Sequence, residues 1–221
     1  VTDELPLFPL NTVVFPGVTV PLHVFEDRYR ALVRDLLQID DPAQRVFGTV
    51  AIREGYEVGD HGAQSLFRVG VLMQLTEVER NDDGTFDVVA VGRDRIRLNE
   101  VRHGGEYAVG TVEVLPEPVD DVTDGVAERA RATFTAYRAV LSEIAGDPFS
   151  GTLPTDPIYL GWTLAACAPL PMAERQGLLE AEGADERLID VTELLRTELE
   201  AMNVIASLPA TEVARTRWSP N

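Results

Sequence analysis

The hydrophobic period of the chain changes at Pro116-Glu117-Pro118, just ahead of the acidic pair Asp120-Asp121, and that change limits the fold more than any other feature. Upstream, apolar residues come in short runs broken by Gly, Pro, Asn and Asp, the pattern of strands joined by tight turns. Downstream they recur at helical spacing, with Val126, Ala130, Phe134, Tyr137, Leu141 and Ile144 on one face. A run of strands followed by a run of helices reads as α+β. The spacing predicts a β-rich lobe over residues 1–116, an all-helical lobe over 117–209 ending in a long helix, and a polar tail over 210–221.

The β half opens on Leu5–Leu10, then Val14-Phe15-Pro16-Gly17, then Pro21–Arg30: two short apolar runs divided by a turn, with Pro16-Gly17 as the turn dipeptide, and then a helix. Pro6, Pro9 and Pro21 cannot donate to a ladder, so these strands are expected to be short, bulged or at an edge. Glu26-Asp27 places acid at a helix start, and Phe25, Tyr29, Leu32, Val33 and Leu36 follow as one apolar face. Arg45–Ile52 reads as a buried strand, Glu54–Ser65 as a glycine-bearing loop, and Leu66–Val78 as a long strand. Asn81-Asp82-Asp83-Gly84 is a hairpin signal. Thr85–Val91 and Asp94–Val101 read as two strands separated by a bulge at Gly92, and Tyr107–Leu115 as the last one. Ile96 and Leu98 are expected to face the core, with Arg95, Arg97 and Asn99 opposite. About seven short strands and one helix suggest a curved, mostly antiparallel sheet or pseudo-barrel.

In the helical half, Thr155-Asp156-Pro157 marks a helix start, Met172–Glu180 a short helix, Gly183 its C-cap, and Asp185–Leu208 the final helix with Leu188, Val191, Leu195, Met202 and Ile205 as its spine.

Composition removes several function classes. The 221 residues carry 19 basic and 37 acidic side chains, net −18, and both halves are acidic, so nucleic acid and anionic membrane are poor partners. No apolar run approaches the roughly 20 residues of a membrane span, nothing reads as a signal peptide, and the single cysteine, Cys167, excludes an internal disulfide. Cytoplasm is the expected compartment. Every basic residue is arginine, and with no lysine there is no phosphate-loop lysine, Schiff base or Ser-Lys dyad. His23, His61 and His103 are far apart and lack metal-ligand spacing, and no serine has a G-x-S-x-G context. No catalytic residue, metal or cofactor is expected.

The motifs Leu5-Pro6-Leu7-Phe8-Pro9-Leu10, Val14-Phe15-Pro16-Gly17 and Pro21–Arg30 resemble the opening of the N-terminal, substrate-recognition domain of the Lon ATP-dependent protease family. Phe47–Val50, Glu57-Val58-Gly59, Asp83–Phe86, Val91–Leu98, Glu174–Glu180 and Glu186-Arg187-Leu188 resemble later parts of that domain in the same order. The resemblance implies a β lobe followed by a helical lobe. In the family the last helix leads into ATPase and protease modules; the expectation here is a stand-alone domain without either. It further implies a non-enzymatic protein- or peptide-binding module, possible adaptor work in quality control, and partners that are unfolded or partly folded polypeptides or a protease or chaperone, independent of ATP.

Candidate contacts with a peptide are Tyr56, His61, Arg93, Arg95 and Trp162, in or beside a cleft between the lobes or on the β lobe. Tyr56 is the large anchor in the Glu54–Ser65 loop, whose glycines alternatively serve tight turns. Arg93 and Arg95 suit an anion or peptide carboxylate, or else ion pairing with the abundant acids. Trp162 is a ligand platform or core between lobes. His23, Arg28 and Arg30 read as groups satisfied inside the β lobe, and the opening motif as scaffold. Two other functions compete: a small-ligand or RNA-binding module, because the β lobe resembles PUA-like folds, and a cryptic hydrolase. A basic stripe on the folded surface favours the former; turnover lost on a Ser or Asp substitution favours the latter.

Overall fold

The computed structural model describes residues 2–53, 66–118, 122–144, 149 and 151–204. The fold is α+β, and the chain divides between Pro116 and Glu117 into two compact units.

The first unit is an antiparallel sheet of β1 (Thr2–Pro6), β2 (Thr19–Val24), β3 (Val46–Thr49), β4 (Val69–Arg80), β5 (Phe86–Arg102) and β6 (Val109–Leu115), with one helix, α1 (Asp27–Leu37). The strand order is β1-β6-β5-β4-β3, and β2 pairs with the first part of β5. The path closes on itself. Beyond β1 the chain bridges Leu7 to Gly48 and Leu10 to Ala51 in parallel, with Phe8 N–H donating to Gly48 O at 2.9 Å and Ile52 N–H to Leu10 O at 2.9 Å. Closure depends on two glycines. A Cβ on Gly48 would stand 3.0 Å from the Leu7 side chain, and one on Gly110 would stand 2.9 Å from it. Leu7 fills that notch with no exposure and joins Val50, Ile52, Leu66, Ile96, Leu98 and Val112 in the core.

Six strands are found among the described residues where about seven were expected. Thr85–Val91 and Asp94–Val101 are not separate: they are one strand of 17 residues. The register slips between Val71↔Arg95 and Met73↔Gly92, so β5 absorbs an extra residue just after Gly92 and continues. Pro21 behaves as an edge residue. Gly92 N–H donates to Val18 O, which sets the phase of the β2–β5 ladder and leaves Pro21, opposite Val89, at a position that owes β5 no donor. Gly17 takes a φ of 77° in the turn before β2, and Gly84 one of 83° in the β4–β5 hairpin.

The second unit holds α2 (Val126–Ile144), α3 (Pro157–Cys167), α4 (Met172–Glu180) and α5 (Ala184–Val204). The face read from Val126, Ala130, Phe134, Tyr137 and Leu141 is buried, as are Leu188, Val191, Leu195 and Met202 of α5. Asp156 caps α3, its side chain accepting from Ile158 N–H at 2.9 Å and Tyr159 N–H at 3.1 Å. Gly183 does not cap α4. Ala181 ends that helix, and Gly183 O receives the N–H of Arg187, at the start of α5. Among the described residues no helix is long and apolar enough to cross a membrane.

Candidate functional site

Residues of the opening motif line a pocket. Glu26, in extended conformation, is the N-cap of α1, and its carbonyl accepts from Tyr29 N–H at 3.1 Å and Arg30 N–H at 2.9 Å. Phe25 therefore stands before the helix, not on its buried face. A residue at that place is commonly held down by an apolar partner at the fourth helical position, which here is Arg30. Phe25 is 45% exposed, whereas Tyr29, Leu32, Val33 and Leu36 are buried as expected.

Beside Phe25 lies a pocket of about 100 Å³. Phe8–Asn11 line it together with His23–Glu26, Arg28, Tyr29 and Ile52. Its aromatic groups are fixed by their neighbours: Phe8 and Tyr29 stack at 4.0 Å between centroids and 10° between planes, and His23 and Phe25 stack at 6.2 Å. The Arg28 guanidinium sits 4.5 Å from the Tyr29 ring centre and pairs with Glu26 at 2.6 Å. Burial raises the Tyr29 hydroxyl above its ordinary pKa, against the opposing effect of Arg28. His23 Nδ1 meets Asp87 Oδ1 across the β2–β5 ladder at 2.7 Å. Asn81 donates to the other Asp87 oxygen at 2.8 Å, and the Asn81 and His23 hydrogen bonds hold the Asp87 carboxyl below its usual pKa.

The described lining residues include His23 and Glu26 but no Ser, Thr, Cys or Lys, and Asp87, the partner of His23, is not one of them. Small-molecule pockets are commonly about 300–1,000 Å³, so this one has the size for a single side chain. Among the described residues no group of three or more His, Cys, Asp or Glu could hold a metal ion.

Of the residues expected from sequence to touch a peptide, the described ones, Arg93, Arg95 and Trp162, do not line this pocket. Tyr56 and His61 fall outside the described residues. Arg93 and Arg95 share β5 but not an environment. Arg93 is exposed and its Nε donates to Gln74 Oε1 at 2.7 Å, whereas Arg95 is only 5% exposed. Arg95 keeps its alternation opposite Val71, which is itself fully buried, so this part of its face of β5 is covered rather than open. Trp162, in the second unit, is 3% exposed and covered by the Arg187 guanidinium, 3.2 Å from its ring centre. The His23–Tyr29 pocket was missed because Phe25 fits the α1 periodicity; the Glu26-Asp27 start signal, applied strictly, would have excluded it from the helix.

A family model for the substrate-binding domain of ATP-dependent protease La (LON) matches residues 4–197. The chain belongs to the Lon substrate-binding domain family. The Lon protease of Escherichia coli (strain K12) is 28% identical over 205 residues, covering 91% of this chain and 26% of that protein. Lon protease 2 of Herpetosiphon aurantiacus is 27% identical over 214 residues, covering 92% and 25%. The chain thus spans about a quarter of the length of these Lon proteases. The crystal structure of a Lon N-terminal domain protein from Xanthomonas campestris has a TM-score of 0.64 at 26% identity and covers 88% of this chain and 98% of that one. The N-terminal domain of a Mycobacterium avium complex Lon protease, at 20% identity and a TM-score of 0.59, shares the fold.

Proposed function

We propose that this Lon-type domain recognises polypeptide segments without cleaving them, and that the pocket beside Phe25 receives one apolar side chain of the bound segment. The observation that carries the proposal is a large apolar ring held half-exposed at the mouth of an aromatic-lined, side-chain-sized pocket. Membership in a substrate-binding family makes polypeptide the favoured ligand class. A lining with no nucleophile and a sequence with no lysine support binding over hydrolysis. Clients would be unfolded or partly folded chains, and an adaptor role beside a protease or chaperone fits a module of this kind. One cysteine and no possible internal disulfide agree with the cytoplasm. Exposed Arg93, with Tyr56 and His61, is retained as an outlying contact.

One buried aliphatic or aromatic side chain contributes about 1.5–3 kcal/mol, so a single pocket gives weak binding that multiple contacts along a segment must reinforce. Fluorescence anisotropy with labelled, permanently unfolded casein tests the reading. Phe25→Ala is expected to weaken binding about tenfold with an unchanged melting temperature, because Phe25 already faces water. Undiminished binding by the variant would remove the pocket from the proposal; no binding by the wild type would remove the proposal.

A further inference from the structure

A strand has two hydrogen-bonding edges, yet among the described residues β2 pairs with β5 alone. The bond from Gly92 N–H to Val18 O fixes which groups face which way. Val20, Leu22 and Val24 turn their backbone N–H and C=O toward β5, and Thr19, Pro21 and His23 turn theirs to the opposite edge. There Thr19 and His23 each offer an N–H and a C=O, and Pro21 offers a C=O. Among the described residues no hydrogen bond uses these groups. All three residues are exposed. His23 ends this row and also lines the Phe25 pocket, so the edge and the pocket are continuous.

The chemistry that complements such a row is a second extended backbone, whose own donors and acceptors recur at the same spacing of about 7 Å. A second copy of this chain is a poor occupant. In a two-fold antiparallel pair of β2 edges, outward residues face outward residues. Pro21 then lies opposite Pro21, Thr19 or His23 of the other copy, and its missing donor is lost twice. An unrelated segment meets that gap once. Two copies would also each bring a net charge of −18, which opposes their association.

We propose, building on the recognition reading above, that the outer edge of β2 takes up an extended segment of a client polypeptide as an added strand, and that a side chain of that strand beside His23 enters the Phe25 pocket. Main-chain hydrogen bonds then supply affinity that does not depend on the client's sequence, and the pocket supplies selection. The added strand also provides the further contacts that a pocket for one side chain needs.

Amide hydrogen exchange followed by NMR tests this on the whole chain, with and without a saturating short peptide of serine and threonine around one central phenylalanine. The Thr19 and His23 amides should exchange fast in the free protein and about tenfold slower in the complex, while those of Val20 and Leu22 are slow in both. Two versions of the peptide carry N-methyl groups on alternate residues. The phenylalanine in the pocket fixes the register, so only the set whose N–H groups face β2 should matter. Methylating that set is expected to weaken binding about tenfold, and the other set should bind as the parent does. Thr19 and His23 amides that stay fast in the complex or are already slow in the free protein, or equal losses from both methylated peptides, would overturn the added strand and leave recognition intact. Protection that grows with protein concentration in the absence of peptide would overturn it in favour of a second copy. A parent peptide that does not bind would refute the recognition reading, and the added strand with it.

Discussion

Arg187 is the most consequential charge in the second unit, and removing its partner is a quantitative test of how that unit is held. The guanidinium has no exposure. Its Nη1 and Nη2 donate to Glu117 Oε1 at 2.8 Å and Oε2 at 3.2 Å, and its Nε donates to Leu178 O at 3.2 Å. Leu178 lies in the last turn of α4, where carbonyls lack helical partners, so Arg187 also caps that helix from α5. Its face lies on Trp162 of α3. Glu117→Ala takes the bidentate carboxylate away from a buried cation, a change that costs about 3–5 kcal/mol in buried pairs. Glu117 retains 20% exposure, which lets water reach the vacated position, so the lower end, about 3 kcal/mol, is expected. Arg187→Met in the same background removes the stranded charge and should restore part of that loss, because an apolar side chain of similar length fills the site without needing a partner. The assay is urea unfolding followed by Trp162 fluorescence in a Trp218→Phe background, with the four members of the double-mutant cycle measured together. A Glu117→Ala loss below about 1 kcal/mol, or a double variant no more stable than Glu117→Ala alone, would refute the reasoning.

Other predictions are simpler. Gly70→Ala should destabilise by about 3 kcal/mol in chemical denaturation, because its Cβ would stand 2.0 Å from Thr49 O, a backbone atom that cannot move alone. Gly177→Ala should act oppositely and stabilise by about 0.5–1 kcal/mol, since it sits inside α4 with nothing within 4 Å of the added methyl. Asp156→Ala should cost about 1 kcal/mol by freeing two N–H groups at the start of α3, and Asp156→Asn should restore most of it. Burial, and then the 2.6 Å hydrogen bond to Asp35, push the Tyr107 hydroxyl up to about 12. Its contribution to stability is present below the unfolded value of about 10 and is lost as pH rises from there through 12. Alkaline difference absorbance should show that late tyrosine, and Asp35→Asn should bring its transition earlier.

Local rules sufficed where one element or one turn decided the outcome. The buried stripe Val126, Ala130, Phe134, Tyr137, Leu141 follows from helical period alone, the Asp156-Pro157 start from capping chemistry, and the Asn81–Gly84 hairpin from the positive φ that Gly84 accepts. The opening motif also carried the family. What local rules could not supply was where distant segments meet. Arg95 reads as opposite the core by alternation, yet its face is covered where it pairs with buried Val71; Trp162 reads as a platform or as core, and Arg187, 25 positions later in sequence, covers it.

The sequence by itself determined the two-part α+β order, the helix faces, the turns and the exclusion of lysine chemistry, because each depends on residue type and short spacing. Only the tertiary structure decided the rest. Closure of the sheet needs Leu7 to enter a notch formed by Gly48 and Gly110, residues 41 and 103 positions away from it. The Phe25 pocket needs Phe8, His23 and Tyr29 to converge, and the hydrogen bond of His23 needs Asp87 across the β2–β5 ladder. Side-chain burial and charge environment belong to such meetings of distant segments, and no periodicity within one segment encodes them.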